Sequence, residues 1–345
     1  MRDFRNRIPL DPRFAKNVDL KLVKKILNFV RVDGQLGGDF CFLSIEDGGS
    51  FEHVEGLHSN LQNHIKELEK YTDQPPWTPD KQTILKVSGK PNKDEALVGL
   101  PGSKIAKIMF NLLGVGENSI EYLRNHLYRK NEFNVKFYPL GKPQQNRWYK
   151  YWDEIGLTDY HYQDWCVHNR CKVIFDQYGK DIMKSKVIII IGGRDEWLGC
   201  LAPVLDIDFT STEYYSGKNY NYHLYFSSKG ELKVSYINCF QRGLSDESIF
   251  QFTQKLIHHS DWLKNKTPKV AFRQGPSGSS EFFPSFSNFR CYLETLSIKQ
   301  YRLASQSFAS DSVHWKKQVT RGNISPEDFQ WLCERNDYEF RYLEM

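Results

Sequence analysis

Two adjacent carboxylates, Asp94 and Glu95, follow an apolar run, Thr83-Ile84-Leu85-Lys86-Val87, across the polar turn Ser88-Gly89-Lys90-Pro91-Asn92-Lys93. Carboxylates just past a strand end can orient a water or stabilise a cation; acids at such a position also suit a solvated turn or the first turn of a helix, where they complement the dipole. Asn92 in the same turn is a candidate water ligand or phosphate contact, and asparagine after proline is equally a turn former. Lys90 has the type for a Schiff-base nucleophile, although a lysine in a turn more often meets a phosphate or solvent. Asn134, inside the apolar segment Phe133-Asn134-Val135-Lys136-Phe137, offers a donor and an acceptor to a base edge, or caps its strand as a polar residue.

These residues need elements to position them. The run at 83–87 and a second, Lys186-Val187-Ile188-Ile189-Ile190-Ile191 before Gly192-Gly193-Arg194-Asp195, are continuous and β-branched, as in strands covered on both faces. Ligands of such sheets sit outside the carboxyl ends of the strands. Patterns alternate thereafter: helix 102–113, strand 133–138, helix 160–180, strand 186–192, hairpin strands 222–227 and 231–238, helix 246–259. That order predicts an α/β layer fold with a mostly parallel sheet. Helical spacing also marks residues 19–32 and 51–71, and Thr72-Asp73-Gln74-Pro75-Pro76-Trp77 reads as a break. The expected division is a mostly helical lead-in over 1–78, a core over 79–260, and an extension over 261–345.

Composition narrows the class. With 345 residues, 40% of them hydrophobic, the chain can bury a substantial core. It has no run of about 18 uncharged apolar residues and no apolar signal core behind Met1 to Arg7, so no membrane association and a cytoplasmic location are expected. Seven scattered cysteines without a Cys-x-x-Cys pair argue against a disulfide framework, a zinc ribbon or an iron–sulfur cluster and predict reduced thiols. The ten histidines show no metal-ligand spacing, so neither a metal nor a cofactor is expected. No Ser/His/Asp order, Walker loop or Gly-x-Gly-x-x-Gly fingerprint occurs. A formal charge of +5 permits a nucleic-acid partner without demanding one.

The order of blocks resembles the uracil-DNA glycosylase superfamily, most closely the branch whose better-known members carry an iron–sulfur cluster. Val87 to Glu95 stands where that branch has a Gly-Glu-Ala-Pro-Gly type turn, and Leu97-Val98-Gly99 opening a helix that closes at Gly114-Val115 stands in its next block. Phe133 to Lys142 with Gln145-Asn146-Arg147 is similar to its strand ending in asparagine and its Asn-Arg loop. Cys166 to Tyr178, then Lys186 to Gly193, resembles its cysteine-led helix and apolar strand. Gln241-Arg242-Gly243-Leu244-Ser245 retains the Gly-Leu-Ser end of its last motif. The cluster cysteines are absent, the water-orienting position falls at Gly89 or Lys90, and the histidine position falls near Phe240.

The resemblance implies a three-layer αβα sandwich and a DNA glycosylase. Such an enzyme flips a base from double-stranded DNA, reads it with Asn134 beside Gly89 and Leu97, and hydrolyses its N-glycosidic bond with Asp94, Glu95 and Asn92 as the catalytic candidates. Lys90, Arg147, Gln241, Arg242 and Ser245 are the implied DNA contacts. Leu97 stands where the family often carries a base-stacking phenylalanine, leaving room for a modified base, as in phage-defence enzymes that remove sugar-decorated cytosines. Two alternatives stand beside this one: a catalytically silent nucleic-acid-binding module of the same fold, and an unrelated α/β protein for a small nucleotide or sugar.

Overall fold

A computed structural model describes residues 20–45, 101–116, 118–129, 131–138, 153, 156–216, 221–238, 246–266, 270–273, 280–285, 288, 291 and 339–342. Their contacts divide the chain into two compact units: Met1–Asn92 with Leu127–Tyr215 and Asn221–Phe240, and Lys93–His126 with Ser216–Tyr220 and Gln241–Met345.

The first unit is built on a seven-stranded sheet in the order β1-β3-β2-β4-β7-β6-β5. Its strands are β1 (Val32–Gly34), β2 (Phe40–Ser44), β3 (Glu132–Lys136), β4 (Val187–Ile190), β5 (Asp208–Ser216), β6 (Asn221–Phe226) and β7 (Leu232–Ile237). The middle is parallel: β2 pairs with β3 and β4, and β4 with β7. The margins are antiparallel, with β1 on β3 and β6 on β7. Every residue of β2, β3 and β4 is buried, which is why Phe-Cys-Phe-Leu and Val-Ile-Ile-Ile run without polar alternation in β2 and β4.

One face of the sheet, carrying Cys41, Leu43, Phe133, Val135, Ile188, Ile190 and Val234, shares a core with α1 (Leu20–Leu27), α4 (Asp159–Lys184) and α5 (Arg194–Leu201). Thr158 caps α4 by accepting from the His161 N–H at 3.2 Å, satisfying one of the orphan donors of a helix start. The buried face of α4 runs Tyr162, Cys166, Arg170, Ile174, Ile182, the spacing of one helical stripe. Arg170 is wholly buried in that stripe. Its Nε donates to the Phe137 carbonyl at 2.6 Å and its Nη1 to the Leu27 carbonyl at 2.9 Å, tying α4 to the end of β3 and the end of α1. Cys171 of α4 and Cys200 of α5 form a disulfide.

The second unit contains α2 (Pro101–Leu113), α3 (Ser119–Asn125), α6 (Asp246–His259), α7 (Asp261–Lys266) and a sheet ordered β10-β8-β9 from β8 (Val270–Arg273), β9 (Ser280–Phe283) and β10 (Glu339–Tyr342). Asn118 caps α3 by accepting from the backbone N–H groups of Ile120 and Glu121. Lys107 of α2 pairs with Asp246 of α6. The Asn288 amide closes the end of α2 by donating to the Phe110 carbonyl at 2.7 Å.

The α/β expectation holds at this level, with a mixed sheet that is parallel at its centre. Two expectations need correction. Residues 1–78 are not only a helical lead-in, because they supply β1 and the central strand β2; Phe40–Ser44 lies between Gly37-Gly38 and Gly48-Gly49, and at five residues it is too short for its apolar pattern alone to mark it as a strand. The cysteines are not all reduced, because α4 and α5 bring Cys171 and Cys200 together from positions 29 apart in sequence. The expected helix 51–71 and strand 83–88 lie outside the described residues. Among the described residues, no helix is long and apolar enough to cross a membrane.

Candidate functional site

The parallel strands fix where a crevice opens. From β2 the chain proceeds to β3 on one side and then to β4 on the other, so the direction of winding reverses between β2 and β4. In open α/β sheets the ligand lies at the carboxyl ends of the two strands flanking that reversal. Here those ends are Ser44-Ile45 and Ile191-Gly192-Gly193-Arg194.

The two ends are held tightly together. The Ile191 N–H donates to the Leu43 carbonyl at 2.8 Å, and the Trp197 indole donates to the Ser44 carbonyl at 3.1 Å. Trp197 is fully buried, with its ring edge-on to Phe137 at 5.3 Å. Gly193, the residue before α5, has φ 65°. A Cβ there would lie 2.6 Å from Ile45 Cγ1, so both backbone conformation and space call for glycine. Tyr138, past the end of β3, donates its hydroxyl to Glu196 Oε1 at 3.4 Å.

Asn134 lies on the sheet face opposite the α4 core, in the middle of β3. It is buried, and polar neighbours surround it: Asp33, Ser44, Glu132 and Lys136 are buried as well. In register it faces Asp33 across β1 and Phe42 across β2. Ser44 Oγ donates to Asn134 Oδ1 at 2.9 Å, and Asn134 Nδ2 donates to the Tyr128 hydroxyl at 3.4 Å. Tyr128 itself has φ 62°, unusual for a residue with a Cβ, and its N–H donates to Glu132 Oε1 at 2.7 Å. Asp33 accepts from Arg31 Nε at 3.0 Å, and Lys136 Nζ stands 3.8 Å from its other oxygen. Both ends of the Asn134 amide therefore have protein partners. Reading a base would mean exchanging the Ser44 hydroxyl and the Tyr128 hydroxyl for a base edge.

A second group, missed in the sequence, gathers at the same strand ends but on the α4 side of the sheet. Arg194 opens α5; its Nε donates to Asp195 Oδ1 at 2.8 Å, and its Nη1 approaches His223 Nε2 at 3.4 Å. The guanidinium carbon lies 5.9 Å from the centroid of Tyr236. His223 pairs with Tyr236 in register and contacts three tyrosine rings: Tyr214 at 4.5 Å, Tyr236 at 5.8 Å, and Tyr225, nearly parallel, at 5.9 Å. Burial and the Arg194 charge lower the His223 pKa below its usual value, against a weaker pull upward from Asp195. The bond to Asp195 holds Arg194 more firmly protonated than usual. The available signal was tyrosine and histidine at alternate positions, Tyr214 on β5, His223 and Tyr225 on β6, Tyr236 on β7, which places them on one face of adjoining strands.

No family model, no curated protein and no solved structure matches this chain. The site therefore rests on its own geometry. Of the residues singled out in the sequence, Asn134 is the one the described structure contains; Gly89, Lys90, Asn92, Asp94, Glu95, Leu97, Arg147, Gln241, Arg242 and Ser245 lie outside the described residues. Among the described residues, no cluster of three or more His, Cys, Asp or Glu side chains could hold a metal ion.

Proposed function

We propose that this chain is a DNA glycosylase of the uracil-DNA glycosylase type, built as a three-layer αβα sandwich, that removes a modified base and leaves an abasic site. The supporting observation is the juxtaposition of Asn134 and Ser44: a buried amide on β3 bonded to the end of β2, which is one of the two strands flanking the winding reversal, on a strand whose sequence resembles the family's base-reading block. To read a flipped base, the Asn134 amide exchanges its bonds to the Ser44 and Tyr128 hydroxyls for one donor and one acceptor contact with the base edge.

In hydrolysis, a water oxygen bonds to C1′ of the sugar as the C1′–N bond breaks. The base departs with the bonding electron pair and takes up a proton; the water gives up one. A carboxylate must hold that water or shield the cationic sugar. Asp94 and Glu95 are the candidates for this role. Glu46 and Asp47, which follow Ser44 by two and three positions along the chain, are a second candidate pair.

The test is incubation of the protein with uracil-containing, hydroxymethylcytosine-containing and glucosylated DNAs, followed by alkaline cleavage. Breaks confined to one modified DNA, abolished in Asn134→Leu with DNA binding retained, support the reading. Asp47→Asn and Glu46→Gln set against Asp94→Asn and Glu95→Gln then decide which pair is catalytic. DNA retained with no breaks on any substrate refutes it in favour of a silent binding module, and no DNA binding refutes both.

A further inference from the structure

From the Arg194, Tyr214, His223 and Tyr236 cluster we infer a second nucleic-acid site: a stacking platform for single-stranded DNA on β5, β6 and β7. Three observations carry it. First, the platform is aromatic and open: Tyr214 is 56% exposed and Phe209, whose ring meets Tyr225 edge-on at 6.3 Å, is 54% exposed. Large exposed rings on a sheet face are costly to leave in water and are the form in which sheet proteins hold unstacked bases. Second, the rings are pre-organised. Tyr225, buried beside His223 two positions along β6, lies nearly parallel to it, 8° apart, and the imidazole in turn contacts Tyr214, so little rotamer freedom remains to be lost on binding.

Third, the charge suits a phosphodiester. Arg194 lies at the rim of the rings, 39% exposed and against Tyr236; with its Nε on Asp195 and its Nη1 facing His223, the guanidinium stacks and has Nη2 to donate to a phosphate. The depressed His223 leaves a neutral ring at neutral pH, which favours base stacking over ion pairing. A neutral sugar would use the rings but not the charge of Arg194; a duplex would keep its bases inside its own stack. The unpaired strand is the occupant that uses both. This inference does not depend on base excision: the platform and the Asn134 amide lie on opposite faces of the sheet, and either can be present without the other.

The experiment is fluorescence anisotropy of the full chain with a labelled 15-nucleotide oligo-thymidine, beside an oligomer of equal length made of abasic sugar-phosphate units, over a range of salt. Expected results are a falling affinity with salt and a loss of about tenfold or more for oligo-thymidine in Tyr214→Ala, with abasic-oligomer affinity unchanged. Tyr214→Phe, which keeps the ring, retains wild-type affinity. Arg194→Gln weakens both oligomers and reduces the salt slope by about 0.7. Three results would overturn the inference: no oligo-thymidine binding, equal losses for both oligomers in Tyr214→Ala, or a Tyr214→Phe variant as weak as the alanine. Alkaline cleavage of modified DNA by the same preparations is read separately, so failure of the platform and failure of the excision reading are distinguishable.

Discussion

Replacing Gly193 by alanine tests whether the turn between β4 and α5 is set by the strand beside it. Two costs combine. The first is conformational: φ of 65° lies in the left-handed region, where a Cβ costs about 1–2 kcal/mol. The second is steric: the new Cβ would stand 2.6 Å from Ile45 Cγ1, and forcing an extra methyl into a packed position costs about 1–3 kcal/mol. The expected loss is about 2–5 kcal/mol, measured by urea denaturation. Gly230 supplies the control. Its φ is 80°, and a Cβ there would find nothing within 4 Å, so Gly230→Ala should lose about 1–2 kcal/mol, the conformational cost alone. The double variant Gly193→Ala with Ile45→Ala removes the obstructing carbon and should cost less than the two single losses added, by about the steric cost. Equal losses at Gly193 and Gly230, or an additive double variant, would refute the close approach of β2 to this turn and with it the crevice.

Three other outcomes follow from local chemistry. The His223 imidazole should titrate by NMR below its ordinary value of 6.5. Because the unfolded chain then takes the proton more readily, this residue's contribution to stability is full above the unfolded pKa and falls as pH drops through it; Arg194→Gln should raise the midpoint, and an unmoved midpoint refutes the pairing. Cys41 and Cys166 are buried, and burial holds both thiols well above their usual range, Cys166 at about 12 despite an opposing pull from Arg170; alkylation followed by mass spectrometry should leave both unmodified in the native protein, and labelling before unfolding would refute their burial. Closing a loop between Cys171 and Cys200, separated by 29 residues, should stabilise the fold by about 3–4 kcal/mol on chain entropy, so Cys171→Ala with Cys200→Ala should lower the urea midpoint; an unchanged midpoint in both reducing and oxidising buffer refutes the bridge.

How much of this was readable beforehand depends on which physical signal each element carries. The helices at 101–113, 159–184 and 246–259 and the strands at 132–136, 187–190, 221–226 and 232–237 stood out because the helical periodicity runs over several turns and the short apolar and aromatic runs alternate with it. Strand β2 did not: Phe-Cys-Phe-Leu-Ser is too short to separate from a helix segment by periodicity, and its identity as the sheet centre is a long-range property. β5 was missed because Asp-Phe-Thr-Ser-Thr-Glu-Tyr-Tyr-Ser is polar on a sheet margin, where alternation is weak. At the site, Asn134 was legible from its type inside an apolar strand. Its partners Ser44 and Tyr128 were not, since they come from 90 and 6 positions away and neither is distinctive in sequence. The Arg194 cluster is hidden for a related reason: no local spacing singles out His223, and strand pairing is what brings Tyr214 and Tyr236 beside it and Tyr225.

The location of β2 also has a kinetic side. Its partners come late: the bond from Ser44 to Asn134 spans 90 residues, and the bond from Trp197 to Ser44 spans 153. At roughly 5–20 residues per second on the ribosome, the first of these closes some 5–20 s after the strand is made, and the second later still. Throughout that interval an apolar strand has two unpaired edges, the state most exposed to association with other chains. Fragments that end before β4 should therefore accumulate as aggregates, and the yield of the full chain should respond more to slowed synthesis or added chaperone than its final stability would suggest.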